Sequence, residues 1–265
     1  MRKFKKGIYF LIFFYLMITT SLYFFQEKIL FRPTVLKQDY QYDFSYPFEE
    51  LFLKTEDSAV INALHFKARN SKGVILYFHG NAGDLSRWGI ITEYFVSMNY
   101  DVLVMDYRTY GKSTGTLSEE ALYNDAQLCY NVLKEMYNES QITVYGRSIG
   151  TAMATKVASI NNPKQLILET PYYSIVDVAK TRFPYMPVSY IMNYKLPTHQ
   201  FINDVKCDIH MFHGTEDNVV PMSSGEKLFK VSPQERTTLT TIKKAGHNNL
   251  IDFELYHQKI EKLLQ

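Results

Sequence analysis

Cysteine is scarce in this chain. Its 265 residues hold two, Cys129 and Cys207, and neither stands in a Cys-x-x-Cys pair or a Cys/His cluster. Zinc therefore has no support, and both read as small buried apolar residues rather than as a disulfide framework. A large excess of one charge is missing too. Twenty-nine Lys and Arg stand against 27 Asp and Glu, for a net +2, so nothing in the balance points to nucleic acid. Internal repeats and low-complexity tracts are also lacking. What is present is an ordinary globular composition, 46% hydrophobic and 21% charged, at a length that suits one domain of the larger kind. Aromatics make up 15%, with 21 Tyr and 18 Phe. That fits either a compositional bias or a membrane-proximal protein with apolar ligands.

The one long apolar run lies at the N-terminus. Arg2, Lys3, Lys5 and Lys6 precede Ile8–Phe25, which carries no charge, and Lys28 and Arg32 follow it. Eighteen residues reach the length needed to cross a bilayer core as a helix. The competing reading is a cleaved signal peptide. Against it, the run is long for a signal peptide's apolar region and ends in Tyr23-Phe24-Phe25, not in small residues. The expectation is an uncleaved signal anchor over residues 1–30, spanning at about 8–25, with a single domain over 31–265. The basic excess before the span keeps the N-terminus inside and puts the domain on the extracytoplasmic face.

Residues 26–46 read as irregular, with Pro33 and Pro47 as breakers. Glu50–Lys54 and Ala59–Phe66 read as two strands joined by the turn signal Glu56-Asp57-Ser58. The pattern then changes to continuous apolar strands alternating with amphipathic helices. Val74–Phe78, Val102–Met105, Ile142–Tyr145, Leu166–Leu168, Ile209–Phe212 and Thr238–Ile242 are the strands. Asp84 and Ser118 stand as helix caps. Leu122, Ala126, Cys129, Leu133 and Met136 form one helix face, and Phe253, Tyr256, Ile260 and Leu263 form that of the last helix. The alternation predicts a mainly parallel α/β sheet covered on both faces, with ligands at the C-terminal strand ends. Residues 171–206 break it with four prolines and with aromatics that include Tyr172, Tyr173, Phe183 and Tyr185. This insertion reads as a helical connection or as a small lid with an aromatic mouth.

Strand Ile142–Tyr145 leads into Gly146-Arg147-Ser148-Ile149-Gly150 and then a small-residue helix. That is the pattern of a nucleophile elbow: a sharp strand-to-helix turn that leaves one serine exposed, with glycines where side chains would clash. Gly-x-Ser-x-Gly alone is a weak signal. A serine hydroxyl also needs a base and a group that orients the base. In this topology they follow in the order serine, acid, histidine, each after a later strand. Glu216 and Asp217 follow Ile209–Phe212, and His247 follows Thr238–Ile242. Either carboxylate is a candidate, although Asp217 also suits a turn, as half of an Asp-Asn pair. After Val74–Phe78 comes His79-Gly80-Asn81-Ala82-Gly83, where small residues let the backbone approach. The N–H groups of Asn81 and Ile149 are the candidate oxyanion hole. His79 and Arg108 read as loop-holding residues, and Glu169 as a member of a structural ion pair.

The His79–Gly83 stretch, Asp106-Tyr107-Arg108-Thr109-Tyr110-Gly111-Lys112-Ser113, the serine turn and the Asp217 and His247 loops together resemble the α/β-hydrolase superfamily. More narrowly, they are similar to its single-pass, membrane-anchored serine hydrolases, which include the eukaryotic depalmitoylating α/β-hydrolase-domain proteins. The likeness covers nearly the whole chain, including Phe31-Arg32-Pro33 after the anchor. It implies a Ser148–Asp217–His247 triad, no metal or organic cofactor, and an acyl ester or thioester substrate, lipid or lipid-modified. Thr109 and Thr151 depart from the group's usual glycines. The alternatives are a non-catalytic tethered binding protein on this scaffold, or a peptidase of the same fold.

Overall fold

The computed structural model describes residues 2–265. The chain begins with helix α1 (Arg2–Leu30). Within it, Phe4–Leu30 has a mean hydropathy of 1.9, and none of its most apolar window is buried by the rest of the chain. This helix is long and apolar enough to cross a membrane. It also corrects the expected boundary, since residues 26–30 are helical rather than irregular. Gln26, Glu27, Lys28 and Leu30 are good helix formers, and no breaker comes before Pro33.

Strands β1 (Arg32–Pro33), β2 (Phe48–Lys54), β3 (Val60–Phe66), β4 (Val74–Phe78) and β5 (Ala82–Gly83) follow. Next come α2 (Leu85–Ser97), β6 (Asp101–Met105), α3 (Glu119–Lys134), β7 (Ile142–Arg147), α4 (Gly150–Ile160) and β8 (Gln165–Glu169). Three short helices, α5 (Ile175–Arg182), α6 (Val188–Ile191) and α7 (Thr198–Phe201), occupy the insertion. The chain ends with β9 (Asp208–Gly214), α8 (Met222–Val231), β10 (Thr237–Ile242) and α9 (Glu254–Leu263).

Eight strands form one sheet in the order β10-β9-β8-β7-β4-β6-β3-β2. All neighbours run parallel except β2–β3 and β3–β6. The continuous apolar runs have the reason expected of them: β4, β6, β7 and β8 are buried along their whole length, because helices cover both faces. Two apolar clusters result, one on each face, and Val144 and Tyr145 point into different ones. Asp84 caps α2 by accepting from Ser86 N–H, and Ser118 caps α3 by accepting from Ala121 N–H. Met136 does not join the buried face of α3. The helix ends at Lys134, a turn closes on Leu133 O, and Met136 is exposed. In α9, Tyr256 and Ile260 are buried and Leu263 is only half-buried, as is Phe253, which stands just before the helix as its N-cap.

Candidate active site

The serine turn sits where β7 meets α4, at the C-terminal edge of the sheet's centre. Ser148 has φ = 53°, in the left-handed region that L-residues avoid. Its N–H donates to Glu169 O at 2.8 Å, and its carbonyl accepts from both the N–H (3.0 Å) and the hydroxyl (2.7 Å) of Thr151. The departure at 151 therefore adds a bond that a glycine could not make. The flanking glycines are there for want of space. A Cβ on Gly146 would lie 2.6 Å from Ala154 Cβ, and one on Gly150 would lie 2.1 Å from Phe78 O. Thr109 has φ = 74°, which gives a reason for glycine in the similar proteins.

The loops after β9 and β10 bring the other two groups to this turn. His247 Nδ1–H donates to Asp217 Oδ2 at 2.7 Å, and His247 Nε2 lies 2.9 Å from Ser148 Oγ. A carboxylate only accepts, so Nδ1 carries the proton and Nε2 is left to accept from the serine. Asp217 Oδ1 accepts from the N–H groups of Val219 and Val220, both at 2.8 Å. Burial works against the Asp217 carboxylate, but hydrogen bonding to His213 and His247 outweighs it and holds the carboxyl well below its usual range. Glu216, the other acidic candidate, is exposed.

Asn81 and Ile149 both line the cavity with Ser148, and the backbone N–H of neither donates to another group among the described residues. The Asn81 loop is tied down by its other atoms. Asn81 O accepts from Arg32 N–H at 2.8 Å and from Tyr110 Oη–H at 2.7 Å, and Asn81 Nδ2 donates to Leu30 O at 3.1 Å. His79 is a loop-holder as expected: it is buried, stacked on Trp88, and its Nδ1 donates to Gly80 O at 2.6 Å. Arg147 Nε lies 3.2 Å from Glu169 Oε1, and an Nη of the same guanidinium donates to Asn248 O. It thus links the serine turn to the histidine loop. Arg108 bridges Asp57 and Asp125, away from the cavity.

The cavity has a volume of about 600 Å³. Ser148, Ile149 and His247 belong to its lining, and the insertion supplies Ile175, Val178, Phe183, Val188 and Met192. The sequence reading missed two features of its lining. Leu22, Gln26, Ile29 and Leu30 of α1 form part of the wall, and Arg32, Arg87, Arg147 and Arg182 border it without any Asp or Glu in the lining. A polar Gln26 closing an apolar run was the only sign of the first in the sequence. The aromatics expected at the mouth divide. Tyr172 is buried at the cavity's edge and donates to Ile149 O at 3.0 Å, Tyr173 stacks on His199, and Tyr185 is exposed. Among the described residues, no group of three or more His, Cys, Asp or Glu is arranged to hold a metal ion.

Comparison with known proteins agrees with this architecture. The family model described as serine aminopeptidase, S33, matches residues 69–208. Protein bem46 of Schizosaccharomyces pombe is 30% identical over 233 residues, covering 84% of this chain and 78% of its own length. Alpha/beta hydrolase domain-containing protein 17C of Mus musculus is 33% identical over 204 residues, covering 75% and 60%. Among solved structures, an esterase of Pyrococcus furiosus superposes with a TM-score of 0.70 at 18% identity, covering 89% of this chain and 96% of its own.

Proposed function

This chain belongs to the α/β-hydrolase superfamily, and from that premise we propose that it is a membrane-anchored serine hydrolase cleaving carboxylic esters or thioesters. Ser148 Oγ attacks the acyl carbonyl carbon while His247 Nε2 takes its proton. Asp217 keeps the proton of Nδ1 in place and stabilises the imidazolium that forms. The N–H groups of Ile149 and Asn81 receive the oxyanion. As the tetrahedral intermediate collapses, Nε2–H protonates the departing oxygen or sulfur, leaving an acyl-serine. Water, deprotonated by the same nitrogen, attacks that ester and frees the acid and Ser148.

The observation that carries this reading is the unbroken line Asp217 Oδ2–His247–Ser148 Oγ, with bonds of 2.7 and 2.9 Å. The family's description favours a second reading, an aminopeptidase. A site for a free N-terminal ammonium calls for a carboxylate, and the lining of this cavity holds no Asp or Glu, which supports an acyl ester or thioester over a peptide with a free N-terminus. The apolar α1 supports single-pass anchoring, and the basic excess before it supports a domain on the extracytoplasmic face.

The test is labelling with a fluorophosphonate together with turnover of p-nitrophenyl esters. Ser148→Ala should lose the label and lower kcat by a factor of roughly 10⁴ or more, with the melting curve unchanged. Adding His247→Ala should cost little more, because the two act as a unit. An alanine variant with near wild-type turnover sinks the assignment.

A further inference from the structure

Helix α1 does more than end beside the domain. Its side chains bind the main chain of the insertion along much of their shared length. Tyr15 Oη–H donates to Tyr185 O at 3.2 Å, Gln26 Nε2 donates to Ile191 O at 3.1 Å, and Asn193 N–H donates to Gln26 Oε1 at 2.6 Å. Thr19 meets Met186 Sδ at 3.6 Å, and Tyr194 Oη–H donates to Glu27 Oε2 at 2.9 Å. At 1.5 Å per residue, Tyr15 and Gln26 lie roughly 16 Å apart along the axis. The uncharged run Ile8–Phe25 is roughly 27 Å long on the same rise, close to the thickness of a bilayer core. A main chain bonded to Tyr15 is therefore at a depth inside the hydrocarbon whenever α1 spans.

The insertion is built for that place. Phe183–Ile191 carries no charge, and Tyr185 and Tyr190 are 87% and 91% exposed. Large aromatics so bare are out of place in water and suit contact with lipid. Non-helical backbone survives at membrane depth only where its polar groups are paired within the protein, and the bonds from Tyr15 and Gln26 supply such pairing.

We propose that residues 183–192 lie in the bilayer leaflet against α1, and that the cavity between them opens sideways to the acyl chains. The substrate is then an acyl amphiphile already resident in the leaflet. Its chain lies along Leu22 and Ile29 while its ester or thioester reaches Ser148, so the anchor is part of the acyl-binding wall. This rests on the hydrolase reading above for the step at Ser148, but not for the position of the insertion.

Two measurements on the full-length protein in phosphatidylcholine vesicles test it. In a Cys207→Ser background, Tyr185→Cys and Tyr190→Cys carry an environment-sensitive fluorophore. Blue-shifted emission, quenched by doxyl-labelled lipid and shielded from iodide, is expected. Water-like emission open to iodide overturns the proposal, as does shielding that persists in detergent and answers only to a second protein. Separately, Leu22→Trp and Ile29→Trp should lower the ratio of kcat/KM for a myristoyl ester to that for p-nitrophenyl acetate by at least about tenfold. An unchanged ratio overturns the acyl wall. A wild-type protein that takes no fluorophosphonate and turns over neither ester defeats the hydrolase reading instead, and the fluorescence still decides where the insertion lies.

Discussion

Ser148 holds a backbone conformation that costs an L-residue about 1–2 kcal/mol. Its N–H donates to Glu169 O and its carbonyl accepts from Thr151, and these bonds keep it there. What its hydroxyl gains depends on which carboxylate orients His247. Asp217 is buried and within hydrogen-bond distance of Nδ1, while Glu216 is exposed. Asp217→Asn should therefore lower kcat by a factor of roughly 10⁴, by favouring the wrong tautomer, with Glu216→Gln close to wild type. A larger loss in the glutamine variant would reverse the assignment. His65 allows a second prediction. It is buried, with Lys67 Nζ donating to its Nε2 at 3.1 Å. Burial, and then the Lys67 charge, push its imidazole down to about 4. In the unfolded chain it binds its proton near 6.5, so between those values the unfolded state holds more protons and stability rises with pH. Its contribution is present above about 6.5 and is lost as pH falls toward 4. Urea midpoints across this window should fall less in His65→Gln than in wild type, and parallel curves would refute the idea.

The strand-to-helix turn works as an element because β7, α4 and β4 approach too closely for a side chain to intervene. A methyl on Gly150 meets the Phe78 carbonyl at 2.1 Å, and backbone cannot step aside as a flexible side chain would. Gly150→Ala should cost at least about 2 kcal/mol, the scale of an overpacked core. At that cost the melting temperature drops by roughly 4–8 °C in a domain of this size, and activity falls as α4 shifts. Gly246→Ala is the control, since its nearest non-neighbour atom would be Asn249 Oδ1 at 3.5 Å, an ordinary contact. Equal melting shifts in the two would show that glycine is not needed at 150 for space.

At the scale of the whole molecule, α1 and the insertion supply part of the cavity wall over a sheet whose edge carries Ser148, Asp217 and His247. Deleting the first 25 residues removes Leu22 and leaves Gln26–Leu30, but touches none of the groups on the sheet edge. An alkaline carbonate wash should release the truncated protein from membranes, since the insertion alone holds it only peripherally, and the released form should keep turnover of short soluble esters. Its preference for long acyl chains should weaken relative to the anchored form. A truncated protein that stays in the pellet after that wash would mean that α1 is not what anchors the domain integrally. With the anchor intact, protease added outside cells or spheroplasts should cut the domain, and protection until lysis would invert the proposed orientation.

The sheet and the serine turn were legible in the sequence because both depend on local pattern. Continuous apolar runs announce strands buried on both faces, and a turn that crowded excludes side chains at 146 and 150. The positions of Asp217 and His247 after successive strands were legible for the same reason, since a parallel sheet gathers its strand ends on one edge. Choosing Asp217 over Glu216 needed either the family resemblance or the loop's folded shape, because adjacent residues point in different directions. The reach of α1 into the cavity, the four arginines around it and the burial of Tyr172 were decided by tertiary structure alone. They join residues such as Gln26 and Ile191, 165 positions apart. No periodicity records such a pairing, because it is set by how whole elements pack once they have formed.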